Sequence, residues 1–140
     1  LWSGPGIKFG DVRIEADVIP VTGEGDDDFG IVCRAVDEDN FYFLVISSDG
    51  YYGIGKVKDG IQSLIGMEGM PPSEHIHKGQ SFNHMRADCI GERLELSVNS
   101  QLLASVEDPD FRRGRVGVLA GTLGAGSTDV VFDNFSVLTP

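Results

Sequence analysis

The stretch DVRIEADVI, residues 11–19, places Val12, Ile14, Ala16 and Val18 at every second position, with Arg13, Glu15 and Asp17 between them. Successive side chains of a strand point to opposite faces, so this spacing gives one apolar face and one charged face. The pattern returns in SFNHMRADCI, residues 81–90, where Met85, Ala87 and Cys89 oppose His84, Arg86 and Asp88. It returns again in ERLELSVN, residues 92–99, where Leu94, Leu96 and Val98 oppose Arg93, Glu95 and Ser97. A chain with several such segments needs a half-buried sheet: dry on one side, wet on the other.

Two further segments, FGIVCRAV (29–36) and FYFLVISS (41–48), are apolar on both faces apart from Arg34, and are expected to be central strands. Phe41, Phe43 and Val45 are expected in the core, with Tyr42 and Tyr51 turned outward. Turns punctuate the chain at DEDN (37–40), Asp49-Gly50, Asp59-Gly60 and Asn99-Ser100. Asp49-Gly50 is expected to form a type I′ hairpin turn, which needs positive φ at both positions. Pro20 ends the first strand, and TGEGDDDFG (22–30) reads as a loop. GMEGMPPSEHIHKGQ (66–80) reads as irregular, because its two prolines block ladder bonds. With YYGIGKVK, IQSLIGM, QLLASVE, RVGVLAG and DVVFDNFSV the tally reaches about ten short strands and no helix of consequence. The fold class is all-β, a sandwich or a barrel.

A length of 140 residues suits one domain, residues 1–140. The net charge of -11 repels phosphates and argues against a nucleic-acid partner. No apolar run approaches the roughly 18 residues of a membrane span. Cys33 and Cys89 are the two cysteines, too few for a thiolate zinc site. They are either two buried thiols or one disulfide, which would close a long loop and stabilise by roughly 4 kcal/mol.

FGDVRIEADV, GIVCRAVDEDNFYFLVISSDGYYGIGKV, HMRADCIGERLELSVNSQLLASVED, GRVGVLAGT and VVFDNFSV follow one another over about residues 9 to 138. In this order they resemble the concanavalin A-like lectin/glucanase jelly rolls. Within these they are most similar to bacterial laminin-G-like modules related to the 3-keto-disaccharide hydrolase domain. The resemblance implies two stacked antiparallel sheets, one of them concave, and an extracytoplasmic location, secreted or at the cell surface. It implies that Cys33 and Cys89 pair on neighbouring strands. It also implies one or two strands before FGDV, where only LWSGPGIK stands, so a trimmed N-terminus is expected.

Four groups of residues could carry chemistry. The first is Glu15 and Asp17. Retaining glucanases of this superfamily carry E-x-D-x-x-E on one strand, so that two carboxyl groups flank the glycosidic bond about 5 Å apart. Here Pro20 stands where the last acid would be, and the pair is expected to be a solvated strand face. The second group is the polar face: Arg13, Glu15, Asp17, Arg34, His84, Arg86, Asp88, Arg93 and Glu95 all alternate with core positions. If their strands are neighbours, they form one charged surface of both signs. It would hydrogen-bond a sugar while Tyr42, Tyr51, Tyr52 or Trp2 stacks on the ring. A set of weak cross-strand ion pairs is the plainer expectation for the same residues.

The third group is Asp26, Asp27 and Asp28, hard oxygen donors of the kind calcium takes. Three consecutive acids lack the spaced pattern of a dedicated loop, and a mobile acidic turn is expected. The fourth is His75 and His77, which would share a face of an extended segment that His84 could approach, and three imidazoles can hold zinc; the segment is loop-like after Pro71 and Pro72, and surface histidines without a metal are expected. GTLGAGST (121–128) lacks the lysine of a phosphate loop, and Asn134-Phe135-Ser136 is a sequon placed in a strand, where access is expected to be poor.

Three functions fit these observations. The expected one is a non-catalytic extracellular binding module for carbohydrate or a surface glycan, working through the concave face. The second, from the resemblance, is a hydrolase of modified disaccharides, of the 3-keto-glycoside type. The third is a protein-interaction or structural module with no small ligand; the sequence names no protein partner. Calcium is a possible cofactor of any of them.

Overall fold

The computed structural model describes residues 7–20, 28–120 and 130–140. Ten strands and no helix are found among them: β1 (Val12–Pro20), β2 (Asp28–Asp37), β3 (Asn40–Ser47), β4 (Tyr52–Lys58), β5 (Ile61–Leu64), β6 (Asn83–Ile90), β7 (Arg93–Val98), β8 (Gln101–Glu107), β9 (Arg115–Ala120) and β10 (Val130–Leu138). They form two five-stranded sheets, ordered β10-β1-β6-β7-β8 and β5-β4-β3-β2-β9. Each adjacent pair is antiparallel. The architecture is a β-sandwich.

The alternating strands behave as their spacing requires. Val12, Ile14, Ala16 and Val18 of β1 are buried, as are Met85, Ala87 and Cys89 of β6 and Leu94, Leu96 and Val98 of β7. They meet Phe29, Ile31 and Cys33 of β2 and Tyr42, Leu44 and Ile46 of β3 in one cluster between the sheets. A second cluster lies on the other side of β2 and β3: Val32, Ala35, Phe41, Phe43, Val45, Val57 and Leu119, with Leu64 and Met70 against them. These two strands are therefore buried on both faces, and they are central in their sheet.

Phe41, Phe43 and Val45 are in a core, but in the second one. Tyr42 faces the main core and is 0% exposed, which overturns its expected outward position. Apolar residues on both faces of β3 give the alternation no sign, so the spacing leaves the inward face undecided. The Phe43 ring lies across Gly55; a β-carbon there would sit 2.3 Å from that ring and 2.5 Å from the Ser63 carbonyl oxygen.

The β3–β4 turn also differs from expectation. Gly50 has a φ of 96°, whereas Asp49 is not among the positive-φ residues. The Gly50 N–H donates to the Ser47 carbonyl at 3.1 Å, and the Ser47 N–H to the Tyr51 carbonyl at 2.9 Å. This is a longer loop ending in a left-handed glycine, not a type I′ pair. The type I′ requirement is met instead at Asp59-Gly60 (φ 51° and 78°) and at Asn99-Ser100 (φ 50° and 69°).

Cys33 and Cys89 form a disulfide. The cysteines lie on β2 and β6, strands of opposite sheets. The bond therefore pins one sheet to the other, and the expected pairing on neighbouring strands is corrected. Beside it, β2 is irregular: its register with β9 shifts between Val32 and Ala35. Arg34, at a φ of 52°, sits in this irregularity.

Candidate functional site

Three strands of the first sheet bring the expected polar residues into adjoining rows. Arg13 pairs with Asp88, Glu15 with Arg86, and Asp17 with His84 across β1 and β6. On the far side of β6, Asp88 pairs with Glu95 and Arg86 with Ser97 of β7. Arg13, Glu15, Asp17, His84, Arg86, Asp88 and Glu95 thus share the outer face of the β10-β1-β6-β7-β8 sheet, with Arg93 at its end. Strand parity predicted their common face, and the register places them side by side.

Two networks order this face. Asp88, 4% exposed, accepts from Arg13 Nε at 2.7 Å and from Arg86 Nε at 3.1 Å. One buried carboxylate so fixes two guanidinium forks, and charge-assisted bonds of this kind are the stronger ones. His84 bridges two acids: Nδ1 lies 2.6 Å from Asp17 Oδ1, and Nε2 lies 2.9 Å from Glu15 Oε1. An imidazole donates from both ring nitrogens only when protonated. The bonds to Asp17 and Glu15 raise the His84 pKa above its ordinary value, against a smaller opposing effect of burial. The Asp17 carboxyl is held below the usual range, first by the Asn134 amide, whose Nδ2 donates at 2.7 Å, and second by His84.

A cleft of about 250 Å³ opens between these groups, lined by Glu15, His84, Arg86, Ser97, Ser100 and Leu102. Ser97 comes from the alternation of β7, opposite Arg86, and an extra residue in β8 at this point sets Leu102 across from it. Ser100 is the second residue of the type I′ turn that Asn99 opens, and the Asn99 side-chain Oδ1 accepts from the His84 backbone N–H at 2.9 Å. Ser100, Leu102 and Asn134 were missed from sequence, because a bulge and a turn, not alternation, position them. Asn134 lies at a positive φ in β10 and is exposed, contrary to the expected poor access, though its amide is held by Asp17.

Other expected site residues lie elsewhere. Arg34 is 1% exposed and belongs to the second sheet. It donates to the carbonyls of Gly10, Gly91, Phe111 and Cys89 and to the Asp11 carboxylate. The bulge turned it inward, where it ties backbone from several loops together; burial lowers its pKa against the pull of Asp11. Tyr42 is buried, and its hydroxyl donates to Asp108 Oδ1 at 2.6 Å and accepts from the Phe111 N–H at 3.1 Å. The stacking role expected for it is withdrawn, since no face of its ring meets solvent. Burial, then the Asp108 bond, pushes its pKa up. Tyr51 is 40% exposed but pairs with Pro72 beside the second sheet, away from the charged face.

Asp28 opens β2 opposite Ser47 and is buried, so it is part of a ladder and not of an open acidic turn. Asp26, Asp27, Trp2 and the GTLGAGST loop lie outside the described residues. His77 Nδ1 contacts the Phe82 carbonyl at 2.8 Å, while His84 is committed to its two acids. Among the described residues no group of three or more histidines, cysteines or acids is placed to hold a metal ion.

The sandwich has close counterparts among solved structures. The carbohydrate-binding module CBM66 from Bacillus subtilis superposes with a TM-score of 0.78 at 19% identity, over 95% of this chain and 78% of that one. Sheep galectin-11 superposes with a TM-score of 0.67 at 11% identity, over 95% and 94%. The GH43 protein BlXynB from Bacillus licheniformis gives a TM-score of 0.64 at 12% identity, over 94% of this chain but 28% of that one. No protein-family model matches the sequence, and a search of the curated proteins found no match. The fold is the concanavalin A-like jelly roll: two antiparallel sheets around one shared core. Identities this low establish architecture and leave function to the site.

Proposed function

We propose that this chain is a non-catalytic carbohydrate-binding module of a secreted or surface protein, whose glycan lies on the outer face of the β10-β1-β6-β7-β8 sheet. The observation that carries this reading is the prearranged set of donors and acceptors around the Glu15–His84–Arg86 cleft. Sugars present neighbouring hydroxyls that both donate and accept, and alternating carboxylates and guanidinium forks match them. The face is also nearly charge-balanced: Arg13, Arg86 and His84 offset Glu15, Asp17 and Asp88. That balance favours a neutral glycan on a chain of net charge -11. The carbohydrate-binding module and the galectin among the structural counterparts support the same class of ligand. The inter-sheet disulfide fits an oxidising, extracytoplasmic compartment.

The test is a glycan array probed with the purified chain, in calcium and again with a chelator. Binding to a neutral glycan in both conditions is expected, since the polar groups of the cleft are already ordered by one another. Arg86→Ala is expected to abolish it. Loss of binding in chelator alone would transfer the site to the Asp26–Asp28 region. A blank array would overturn the reading.

A further inference from the structure

We infer that the glycan is an extended, neutral chain of at least three sugars, lying along β6 and β7 through a second cleft at the far end of the same face; this rests on the reading of that face as a glycan site. The second cleft has a volume of about 570 Å³ and is lined by Asp88, Ile90, Arg93, Glu95, Glu107 and Arg112 among others. It continues the first. Along β6, His84 and Arg86 belong to the first cleft, and Asp88 and Ile90 to the second. Along β7, Ser97 belongs to the first, and Glu95 and Arg93 to the second. Asp88 joins them: it lines the second cleft while its carboxylate holds the Arg86 fork in the first. From His84 to Ile90 the strand advances about 20 Å at roughly 3.4 Å per residue, longer than one sugar ring.

The chemistry of the second cleft suits further sugars of the same neutral kind. Arg112 Nη2 pairs with Glu92 at 2.6 Å, and Arg93 Nη2 approaches Glu107 at 3.9 Å. Both arginine side chains are well exposed, at 65% and 61%, so they can turn to a hydroxyl without stranding a buried charge. Ile90, 38% exposed, gives an apolar spot for the flat C–H side of a ring. Glu92, Glu95 and Glu107 around the same opening repel a polyanion. Tyrosine and tryptophan are absent from this face among the described residues, and the contacts that those residues offer are polar and spread along both clefts. Two clefts in line let such contacts accumulate over several sugars.

The experiment uses an array carrying gluco-, xylo-, galacto- and fructo-oligosaccharides of one to six residues each. In the series that binds, affinity is expected to rise by about tenfold between the dimer and the tetramer and then level off. Arg93→Gln combined with Arg112→Gln is expected to erase that rise, with an unchanged melting temperature showing that the fold is intact. Affinity that is independent of chain length, or a rise that survives the double substitution, overturns the extended-chain inference while the glycan-site reading stands. Failure of every series to bind overturns both.

Discussion

His84 is held at both ring nitrogens by acids, and this gives it a definite pH signature. Its folded pKa lies above the ordinary imidazole value of about 6.5 because the bonds to Asp17 and Glu15 favour the charged ring. A raised folded pKa means that the stabilisation is fully present below about pH 6.5 and is lost as pH rises through the folded value. Its surroundings are Glu15 and Asp17 of β1, Asn134 of β10 and Arg86 of its own strand. An NMR titration of the imidazole is expected to give a midpoint above 6.5, and Glu15→Gln with Asp17→Asn is expected to bring the midpoint back down. Glycan affinity should fall as pH passes that midpoint, because a neutral ring donates to only one of the two carboxylates. A midpoint at or below the ordinary value contradicts this geometry.

Arg34 is the residue-scale lesson about what sequence shows. Its alternation with its neighbours Cys33 and Ala35 placed it on the wet face, but a left-handed φ of 52° turned it inward. A bulge leaves no mark in hydrophobic spacing, so the expected position failed there, whereas Arg13, Glu15, Asp17, His84, Arg86, Asp88 and Glu95 share one face, with Asp88 buried within it. Arg34→Met would leave several backbone carbonyls without a donor. It is expected to cost about 3 kcal/mol or more in urea unfolding. A cost below about 1 kcal/mol would show that water or neighbouring groups replace the guanidinium.

At the scale of elements, β3 decides how the second sheet packs. Phe43 belongs to the cluster on the far side of that sheet, and Phe43→Ala is expected to cost about 3–5 kcal/mol. Gly55→Ala would drive a methyl into the Phe43 ring and the Ser63 carbonyl, for a further test at about 1–3 kcal/mol. Equilibrium denaturation measures both, and values near zero would contradict the close approach of β4 to the ring. The existence of β3 was legible because the run from Phe41 to Ile46 is apolar and aromatic throughout, with turns on either side. Its inward face was not, because Tyr42 and Phe43 are equally able to fill a core. The Tyr42 hydroxyl finds its partners in Asp108 and Phe111, residues from a distant segment that no local pattern announces.

At the scale of the whole molecule, two features hold the sheets in fixed relation: the shared cluster and the Cys33–Cys89 bond across it. Replacing both cysteines with alanine is expected to cost about 2–5 kcal/mol and to lower the melting temperature. An unchanged melting temperature would mean that packing alone sets the sheet-to-sheet distance. The all-β class was legible from strand count and alternation, and the two stacked sheets from the resemblance; which sheet each strand joins was not. That assignment is why Tyr51 was expected on a face belonging to the other sheet. Backbone amide shift mapping with a bound glycan shows whether the ligand lies on the outer face of the β10-β1-β6-β7-β8 sheet. Shifts concentrated at residues 13–17, 84–90 and 93–100 are the result this structure predicts. Shifts concentrated at residues 41–57 of the opposite sheet, with the first sheet silent, would contradict it.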